Sequence, residues 1–119
     1  MKKNYVRKIQ AYGNYFIEFK KTLDKATLKK IYFVFELIMS VQDVPITFLK
    51  HVEEGLYEIR VSHGGNTYRI FCCFDEGNLI ILFNAFQKKT QKTPPETIDK
   101  AKKIMTQFFK EKEHTHGAE

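Results

Sequence analysis

The spacing of apolar residues predicts three helices. The first covers about Asn14 to Thr22, and Asp24 then has the chemistry of an N-cap for the second, which carries the clearest helical period in the chain. The third begins at Thr93-Pro94-Pro95-Glu96, which combines a capping-box pattern with proline in the first turn. The buried stripes predicted for the three helices are Phe16, Phe19 and Leu23; Leu28, Ile31, Tyr32, Phe35, Ile38 and Met39; and Ile98, Ala101, Met105, Phe108 and Phe109.

Four segments have the composition of strands. The first lies near the N-terminus. Pro45 is predicted to break the second helix, and an irregular segment should follow through His51 to Gly55. Residues 63–66 and 75–77 have hairpin turn chemistry, so the last three strands should form an antiparallel meander. The four predicted strands are Tyr5 to Ala11, Leu56 to Ser62, Thr67 to Phe74 and Asn78 to Phe86.

These elements predict a single α+β domain over residues 1–119. A small antiparallel sheet, made of the three-strand meander and the N-terminal strand, would pack with an N-terminal helical pair and a C-terminal helix. A chain of this length that is 43% apolar is large enough for one packed core, and the polar residues 110–119 are expected to fray. No apolar stretch is long enough to cross a bilayer, and the N-terminus lacks the apolar region of a signal peptide. We therefore expect a cytoplasmic protein with no membrane partner.

The charge balance favours a polyanionic partner. Twenty Lys and Arg residues against fourteen Asp and Glu give a net charge of +6, which attracts polyanions without identifying one. Two groups of basic residues stand out, one at the N-terminus and one before the proline pair, although a solvated face is the alternative explanation for each. The groups are Lys2, Lys3, Arg7 and Lys8, and Lys88, Lys89 and Lys92.

The cysteines and histidines do not indicate a metal site. Cys72 and Cys73 are neighbours in a predicted strand, where their side chains point to opposite faces, so a disulfide between them would be strained and two reduced thiols are expected. No Cys or His pair has the spacing of zinc ligands. We expect no metal and no cofactor. The histidines, which are scattered, are His51, His63, His114 and His116.

The predicted register of the meander brings cations together. If the first hairpin closes through two or four residues, Arg60 faces Arg69, and like charges so placed are destabilising unless an anion compensates them. An even loop after Asp75 would set Asn84 beside Arg69, and alternation would bring Lys88 to the same face. A three-residue turn in either hairpin would break this register. On the core face, the register pairs Val61 with Tyr68, Ile59 with Ile70 and Tyr57 with Cys72.

A groove is expected where the polar end of this face meets its apolar end. Lys92 and Thr93 lie at the start of the last helix, whose free backbone N–H groups favour phosphate. A structural role stays open as the alternative, in which Glu58 neutralises Arg60 diagonally and Arg69 bonds the C-terminus of a helix. The apolar end, which a helix should cover, carries Phe71, Cys73, Ile80 and Leu82.

Three stretches agree in order and spacing with a known family. They are Gly55-Leu56-Tyr57-Glu58-Ile59-Arg60, Tyr68-Arg69-Ile70-Phe71 and Phe86-Gln87-Lys88-Lys89-Thr90-Gln91-Lys92-Thr93-Pro94. The last, with the pattern Phe-x-Lys-Lys-Thr-x-Lys-Thr-Pro, is the specific one. Over roughly residues 12 to 110 the chain resembles the RelE superfamily of type II toxin–antitoxin systems, in particular its HigB-like, phage-derived toxin subgroup.

The resemblance implies a RelE-like fold and an mRNA interferase, a toxin that cuts messenger RNA in the decoding site of the ribosome and so inhibits translation and growth. It also implies a cognate antitoxin of helix-turn-helix type, bound in a hetero-oligomer. In that family no metal is used. The RNA 2′-hydroxyl attacks the adjacent phosphate, leaving a 2′,3′-cyclic phosphate and a 5′-hydroxyl, while cationic side chains stabilise the transition state.

The resemblance also assigns roles to residues. Arg69 would contact the transition-state phosphate, Arg60 the substrate phosphate, and Lys88 would stabilise charge or transfer a proton. Glu58 is a candidate general base, with pairing to Arg60 as the alternative. The C-terminal Tyr or His that often acts as acid or base in relatives is missing, and Tyr57 cannot replace it because its parity points into the core. The residues assigned to RNA binding are Lys89, Lys92, Thr93 and His63, the last also as a weak substitute in proton transfer.

Two functions of other classes are alternatives. One is a non-catalytic RNA- or ribosome-binding module on the same scaffold, and the other is a protein-interaction domain whose groove takes an acidic or amphipathic antitoxin segment. A ribosome-free RNase assay would not separate them, because a ribosome-dependent toxin is silent there too. Mapping messenger 5′ ends after induction of the chain in cells would separate them.

Overall fold

The computed structural model describes residues 4–117, with side chains described as far as His114. Lys2 and Lys3 of the N-terminal basic group, and the side chain of His116, lie outside the described residues. The fold is α+β, as predicted, and in the described part of the chain it contains five strands and three helices. They are β1 (Lys8–Ala11), α1 (Tyr15–Lys20), α2 (Lys25–Ser40), β2 (Leu49–Glu53), β3 (Leu56–His63), β4 (Asn66–Asp75), β5 (Leu79–Lys88) and α3 (Pro95–Gly117).

The strands form one mixed sheet in the order β1-β5-β4-β3-β2. Strand β1 runs parallel to β5, with Lys8 opposite Leu79, and the other neighbours are antiparallel. The prediction of a four-stranded antiparallel sheet was therefore wrong in strand number and in the direction of β1. The partner of β1 lies about seventy residues along the chain, so the direction of β1 depends on how the intervening helices pack, which a local pattern does not reveal.

Strand β2 occupies the segment that was predicted to be irregular. It pairs with β3, and a two-residue turn, Glu54-Gly55, joins the two strands between Glu53 and Leu56. Both turn residues have positive φ, 35° for Glu54 and 83° for Gly55, which a tight hairpin of this kind requires and which glycine adopts without steric cost. β2 therefore adds a fifth strand beside β3 and extends the sheet on that side.

Helix α2 begins as predicted. The carboxylate of Asp24 accepts a hydrogen bond from the backbone N–H of Thr27 at 2.7 Å, so Asp24 is the N-cap. The predicted stripe was wrong at one position: Tyr32 is 43% exposed, whereas Val34 is fully buried. The helix contacts the sheet through a slightly rotated face, and the ring of Tyr32 lies at its margin.

Helix α3 begins at Pro95, one residue after the start that the capping-box pattern predicted. It continues to Gly117, so residues 110–117 are helical rather than frayed, and residues 118–119 lie outside the described range. Tyr12 from the sheet edge donates a 2.6 Å hydrogen bond to Glu111, which ties the added turns to the domain. Phe109, predicted to be buried, is 38% exposed.

The sheet separates two apolar cores. Helices α1 and α2 cover one face, and α3 covers the other, as the prediction of a covering helix required. Cys72 and Cys73 are buried on opposite faces as free thiols, in agreement with the prediction. Over residues 4–117, no helix has both the length and the apolar character needed to cross a membrane. The core under α1 and α2 contains Phe16, Ile31, Val34, Phe35, Ile38, Ile59, Val61, Tyr68, Ile70, Cys72, Ile80 and Leu82.

Arg7, in the N-terminal basic group, has a structural role. Its guanidinium donates hydrogen bonds to the carbonyl oxygens of Ile38, Val41 and Gln42, at 2.7 to 3.1 Å. These carbonyls lie at the C-terminal end of α2, where helices leave acceptors without an internal partner. Arg7 therefore stabilises the end of α2.

Candidate functional site

The first hairpin has the predicted register. His63 pairs with Asn66 across Gly64 and Gly65, which places Arg60 directly opposite Arg69. The backbone N–H of Arg60 donates to Phe48, towards β2, so no backbone hydrogen bond joins the arginines. Facing residues of this type have the closer Cα separation in an antiparallel pair. The two like charges are therefore held close by the backbone itself.

The arginines form one side of a small open cavity of about 270 Å³. Ser62 adds a hydroxyl, and the segment before β2 supplies the opposite wall with Ile46 and Thr47. Arg60 Nη1 donates a 3.3 Å hydrogen bond to the carbonyl oxygen of Ile46, which fixes its guanidinium against this wall. We call this cavity, lined by Ile46, Thr47, Arg60, Ser62 and Arg69, the arginine pocket.

Arg69 is paired with a buried carboxylate. Arg69 is 5% exposed and Glu58 is 7% exposed, and Arg69 Nε lies 3.2 Å from Glu58 Oε2. Arg69 Nη1 also donates to the carbonyl oxygen of Tyr68 at 3.2 Å. The alternative that Glu58 neutralises Arg60 is therefore wrong, because Arg69 holds the carboxylate. The alternative that Arg69 bonds a helix C-terminus is also wrong, because its carbonyl partner lies in β4.

Polar atoms at the centre of this site are buried without an aligned hydrogen-bond partner among the described residues. They include Nε of Arg60 and of Arg69, and Oε2 of Glu58. The Glu58 and Arg69 atoms are close enough for Coulombic attraction, but their geometry is not that of a hydrogen bond. Buried polar groups of native proteins are nearly always hydrogen-bonded, so such atoms point to strain, to a functional role, or to a water or ion as partner.

The register of the second hairpin differs from the prediction in two places. Asp75 pairs with Leu79 across three residues, so the loop is odd rather than even. A bulge then shifts the register once more, because Cys72 faces Leu82 but Ile70 faces Ala85. Together the two shifts change the register by two residues, so beyond the bulge the side chains of β5 lie on the faces that were predicted for them. Only the part of β5 before the bulge has inverted faces relative to the prediction.

These shifts change the neighbours of Arg69. Phe86 rather than Asn84 lies opposite Arg69, and Lys88 lies opposite Thr67 on the same face, as predicted for Lys88. Before the bulge, the α3 face carries Ile81 and Phe83 instead of Ile80 and Leu82. Asn84 donates a 3.2 Å hydrogen bond to the carbonyl oxygen of Thr97 and so anchors the first turns of α3.

The neighbouring cations affect the pKa values of Arg69 and Lys88. Burial lowers the pKa of Arg69, and the neighbouring charge of Arg60 lowers it further, while Glu58 opposes both effects. Burial also lowers the pKa of Lys88, with Arg69 as the next cause. Glu58 opposes this effect, and Arg60 and Lys50 make smaller contributions that lower the pKa. Among the described residues, the site therefore contains a group of cations around one buried carboxylate, that of Glu58.

Lys50 is a site residue that the sequence interpretation missed. It lies directly opposite Glu58 across β2 and β3, on the face of the arginine pocket. The prediction treated its segment as irregular because Pro45 precedes it. The signal that could have identified β2 was the Glu54-Gly55 dipeptide directly before the predicted strand from Leu56, because glycine favours the positive φ of a two-residue hairpin turn.

The residues assigned to RNA binding are spread over two surfaces. Lys89 and Lys92 are exposed in the segment that follows β5, and Thr93 lies two residues before α3. His63 is separated from the arginine pocket: it lines a different cavity of about 320 Å³ on the side of α2. The structure thus brings Glu58, Arg60, Arg69 and Lys88 together and places His63 elsewhere.

A larger cavity beside β5 does not coincide with the arginine pocket. It measures about 840 Å³ and lies among α1, β5 and α3, with Asn84, Tyr12 and Lys100 in its walls. It contains neither arginine of the arginine pocket. Among the described residues, no three Cys, His, Asp or Glu side chains come together as a metal site would require.

The residues that line the arginine pocket lie in the part of the chain that matches a known protein family. Residues 18–106, well over half of the chain, match the family described as Phage derived protein Gp49-like (DUF891). The chain belongs to the Gp49-like family. This is a RelE/toxin-like family of the toxin–antitoxin type, and the matched residues of this Gp49-like protein include the whole arginine pocket. No curated protein matches the sequence.

Proposed function

We propose that this Gp49-like protein is the toxin of a type II toxin–antitoxin system, with a RelE-like fold of the HigB-like subgroup, and that it cleaves messenger RNA on the ribosome. One observation carries the proposal: the buried Arg69 faces Arg60 in an open pocket, with buried guanidinium nitrogens that lack aligned partners. Like charges that face each other across two strands are stabilised by an anion, and the RNA backbone supplies phosphate. The family match supports the toxin class.

The proposed reaction is an internal transfer of the phosphate. The ribose 2′-oxygen attacks phosphorus, the bond to the 5′-oxygen breaks, and a 2′,3′-cyclic phosphate and a 5′-hydroxyl result. Glu58 accepts the 2′-hydroxyl proton, and Lys88 donates a proton to the leaving 5′-oxygen. The lowered pKa of Lys88 favours this donation. Arg60 and Arg69 stabilise the negative charge that accumulates on the phosphate oxygens.

The proposed partners follow from the same assignment. The substrate is messenger RNA in the decoding site, which places the protein in the cytoplasm, and the exposed Lys89 and Lys92 bind RNA of the messenger or the ribosome. The inhibitor is a helix-turn-helix antitoxin, bound in a hetero-oligomer. The toxin–antitoxin character of the Gp49-like family supports this partner.

The test is induction of the chain in cells followed by mapping of messenger 5′ ends. We expect growth arrest and new 5′-hydroxyl ends within translated regions, both abolished in Arg69→Ala. The matched control is Lys103→Ala, which removes an exposed cation of α3 and should arrest growth like the wild type. Degradation of untranslated RNA to the same extent would contradict ribosome dependence.

A non-catalytic ribosome-binding module is the second candidate. One observation favours it: the carboxylate of Glu58, the candidate base, is already engaged by Arg69. Such a module would sediment with ribosomes and arrest growth without generating new 5′ ends. The same mapping experiment, combined with sedimentation, therefore separates the two candidates.

A further inference from the structure

Lys50 and Glu58 face each other across β2 and β3, beside the arginine pocket. We propose that Lys50 is a positioning residue, which receives the carboxylate of Glu58 when a phosphate binds Arg69. This inference rests on the proposed function, because it concerns how the same pocket accepts the substrate phosphate. It assigns a role to a residue outside the arginine pair and the Phe86 to Pro94 stretch.

The first step of the argument is competition for Arg69. Its Nε lies 3.2 Å from Glu58 Oε2, so a phosphate that contacts this guanidinium competes directly with the carboxylate. Both anions in contact with one arginine would repel each other at close range. A phosphate that engages Arg69 therefore displaces Glu58, and the displaced carboxylate, 7% exposed, needs another cation.

The second step is the choice of that cation. Arg60 already donates to the carbonyl oxygen of Ile46 and faces the incoming phosphate. Lys88 lies opposite Thr67 and is within the electrostatic influence of Glu58, but the proposed reaction engages its ammonium at the leaving 5′-oxygen. Lys50 is directly opposite Glu58, where side chains of facing residues on one side of a sheet start about 5 Å apart at Cβ. Its ammonium is exposed on a flexible four-carbon stem, so it can move to the carboxylate.

The third step is that the charge of Lys50 is felt within the site. It lowers the pKa of Lys88, together with burial and the two arginines. The unaligned contact between Glu58 and Arg69 is also consistent with a carboxylate that leaves its partner readily, since it lacks the directional hydrogen bond of a tight pair. In the bound state, Lys50 holds Glu58 beside the pocket, ready to accept the 2′-hydroxyl proton.

The test is a double-mutant cycle on the binding of inorganic phosphate. Binding is measured through the change in the NMR signal of the Arg69 Nε–H group. The variants are Lys50→Ala, Glu58→Gln and the double variant, with Lys103→Ala as the control for loss of an exposed lysine. We expect Lys50→Ala to weaken phosphate binding about tenfold, and to have no further effect in the Glu58→Gln background. Lys50→Arg should restore binding, and thermal melting of each variant checks its fold.

Each other outcome overturns the proposal. Equal weakening in both backgrounds would mean that Lys50 contacts phosphate directly, and no weakening would mean that it has no role. Failure of the wild-type protein to bind phosphate would also refute the transfer of Glu58. Messenger cleavage in cells is measured separately. Coupling between Lys50 and Glu58 in phosphate binding, without any messenger cleavage, would contradict the proposed function and still support the role of Lys50.

Discussion

Arg69 and Glu58 are diagonal neighbours across β3 and β4 with Nε and Oε2 3.2 Å apart, yet neither atom is aligned for a hydrogen bond with any described residue. The pair neutralises one of two opposed arginines and leaves the other, Arg60, without an acid of its own in the described site. A buried ion pair contributes little net stability, but removing one partner is costly because the other stays charged and desolvated. The same contact thus ties the stability of the hairpin to its anion-binding capacity.

Replacement of Arg69 by alanine is expected to abolish growth arrest and to destabilise the protein. Loss of a transition-state contact to phosphate should reduce cleavage on the order of a hundredfold or more, about 2.7 to 4 kcal/mol. Stability should fall by about 1 to 3 kcal/mol, because Glu58 is left buried without its partner, which outweighs the relief of repulsion with Arg60. Urea unfolding and toxicity are measured on the same variant.

Two further variants separate these effects. The double variant with Glu58→Gln and Arg69→Ala should regain most of the lost stability, because no uncompensated charge is buried. It should remain inactive. Arg7→Ala should lose about 1 kcal/mol through the carbonyls at the end of α2 and remain toxic. If the Arg69→Ala protein were fully toxic, Arg69 would not be part of the functional site.

Replacement of Glu58 by glutamine is expected to separate binding from cleavage. Without the carboxylate, Arg69 is free for phosphate. The Glu58→Gln toxin should therefore bind more tightly than the wild type to ribosomes that carry an uncleavable messenger, in which the sugar at the cut site is 2′-deoxy. Cleavage of the normal messenger should fall about a hundredfold, because the proton acceptor is gone. Unchanged cleavage with tighter binding would show that another group accepts the proton.

The N-cap of α2 predicts a specific dependence of stability on pH. The hydrogen bonds from Thr27 hold the pKa of Asp24 below its usual value, so Asp24 binds protons more weakly in the folded protein than in the unfolded chain. Its contribution is therefore present above the unfolded pKa, about 3.9, and is lost as the pH falls through the folded pKa. Urea midpoints should show a wild-type advantage over Asp24→Ala at pH 7 that shrinks at pH 3.

Asp24→Asn is the control for this prediction, because its amide oxygen still accepts from Thr27 but does not titrate. The variant should remain more stable than Asp24→Ala at both pH values. An advantage of the wild type that is unchanged at pH 3 would contradict the assignment to the ionised cap.

The two thiols are expected to be inert in the folded protein. Burial raises the pKa of Cys73 to about 12 and that of Cys72 still higher, so the reactive thiolate is scarce at neutral pH. A thiol reagent should label neither residue in native conditions and both in urea. Labelling of one thiol in the native state, at a rate near that of the unfolded chain, would contradict this burial.

The sequence by itself determined the features that depend on neighbouring residues. The apolar period and Asp24 defined the start of α2, and the Gly64-Gly65 turn fixed the register that opposes Arg60 to Arg69. A two-residue turn sets pairing locally, because each later pair follows from it by alternation. These interactions lie within a few residues of chain or one hairpin, so a pattern in the sequence can specify them.

Only the tertiary structure decided the relationships between distant segments. The parallel pairing of β1 with β5, the bulge opposite Phe71 and the choice of Arg69 as the partner of Glu58 did not follow from the local pattern of residues. Lys50 entered the site because β2 joins the edge of the sheet. The physical reason is that alternation gives only the face of a residue, whereas the partner of a charge depends on which strands and walls enclose it and exclude water.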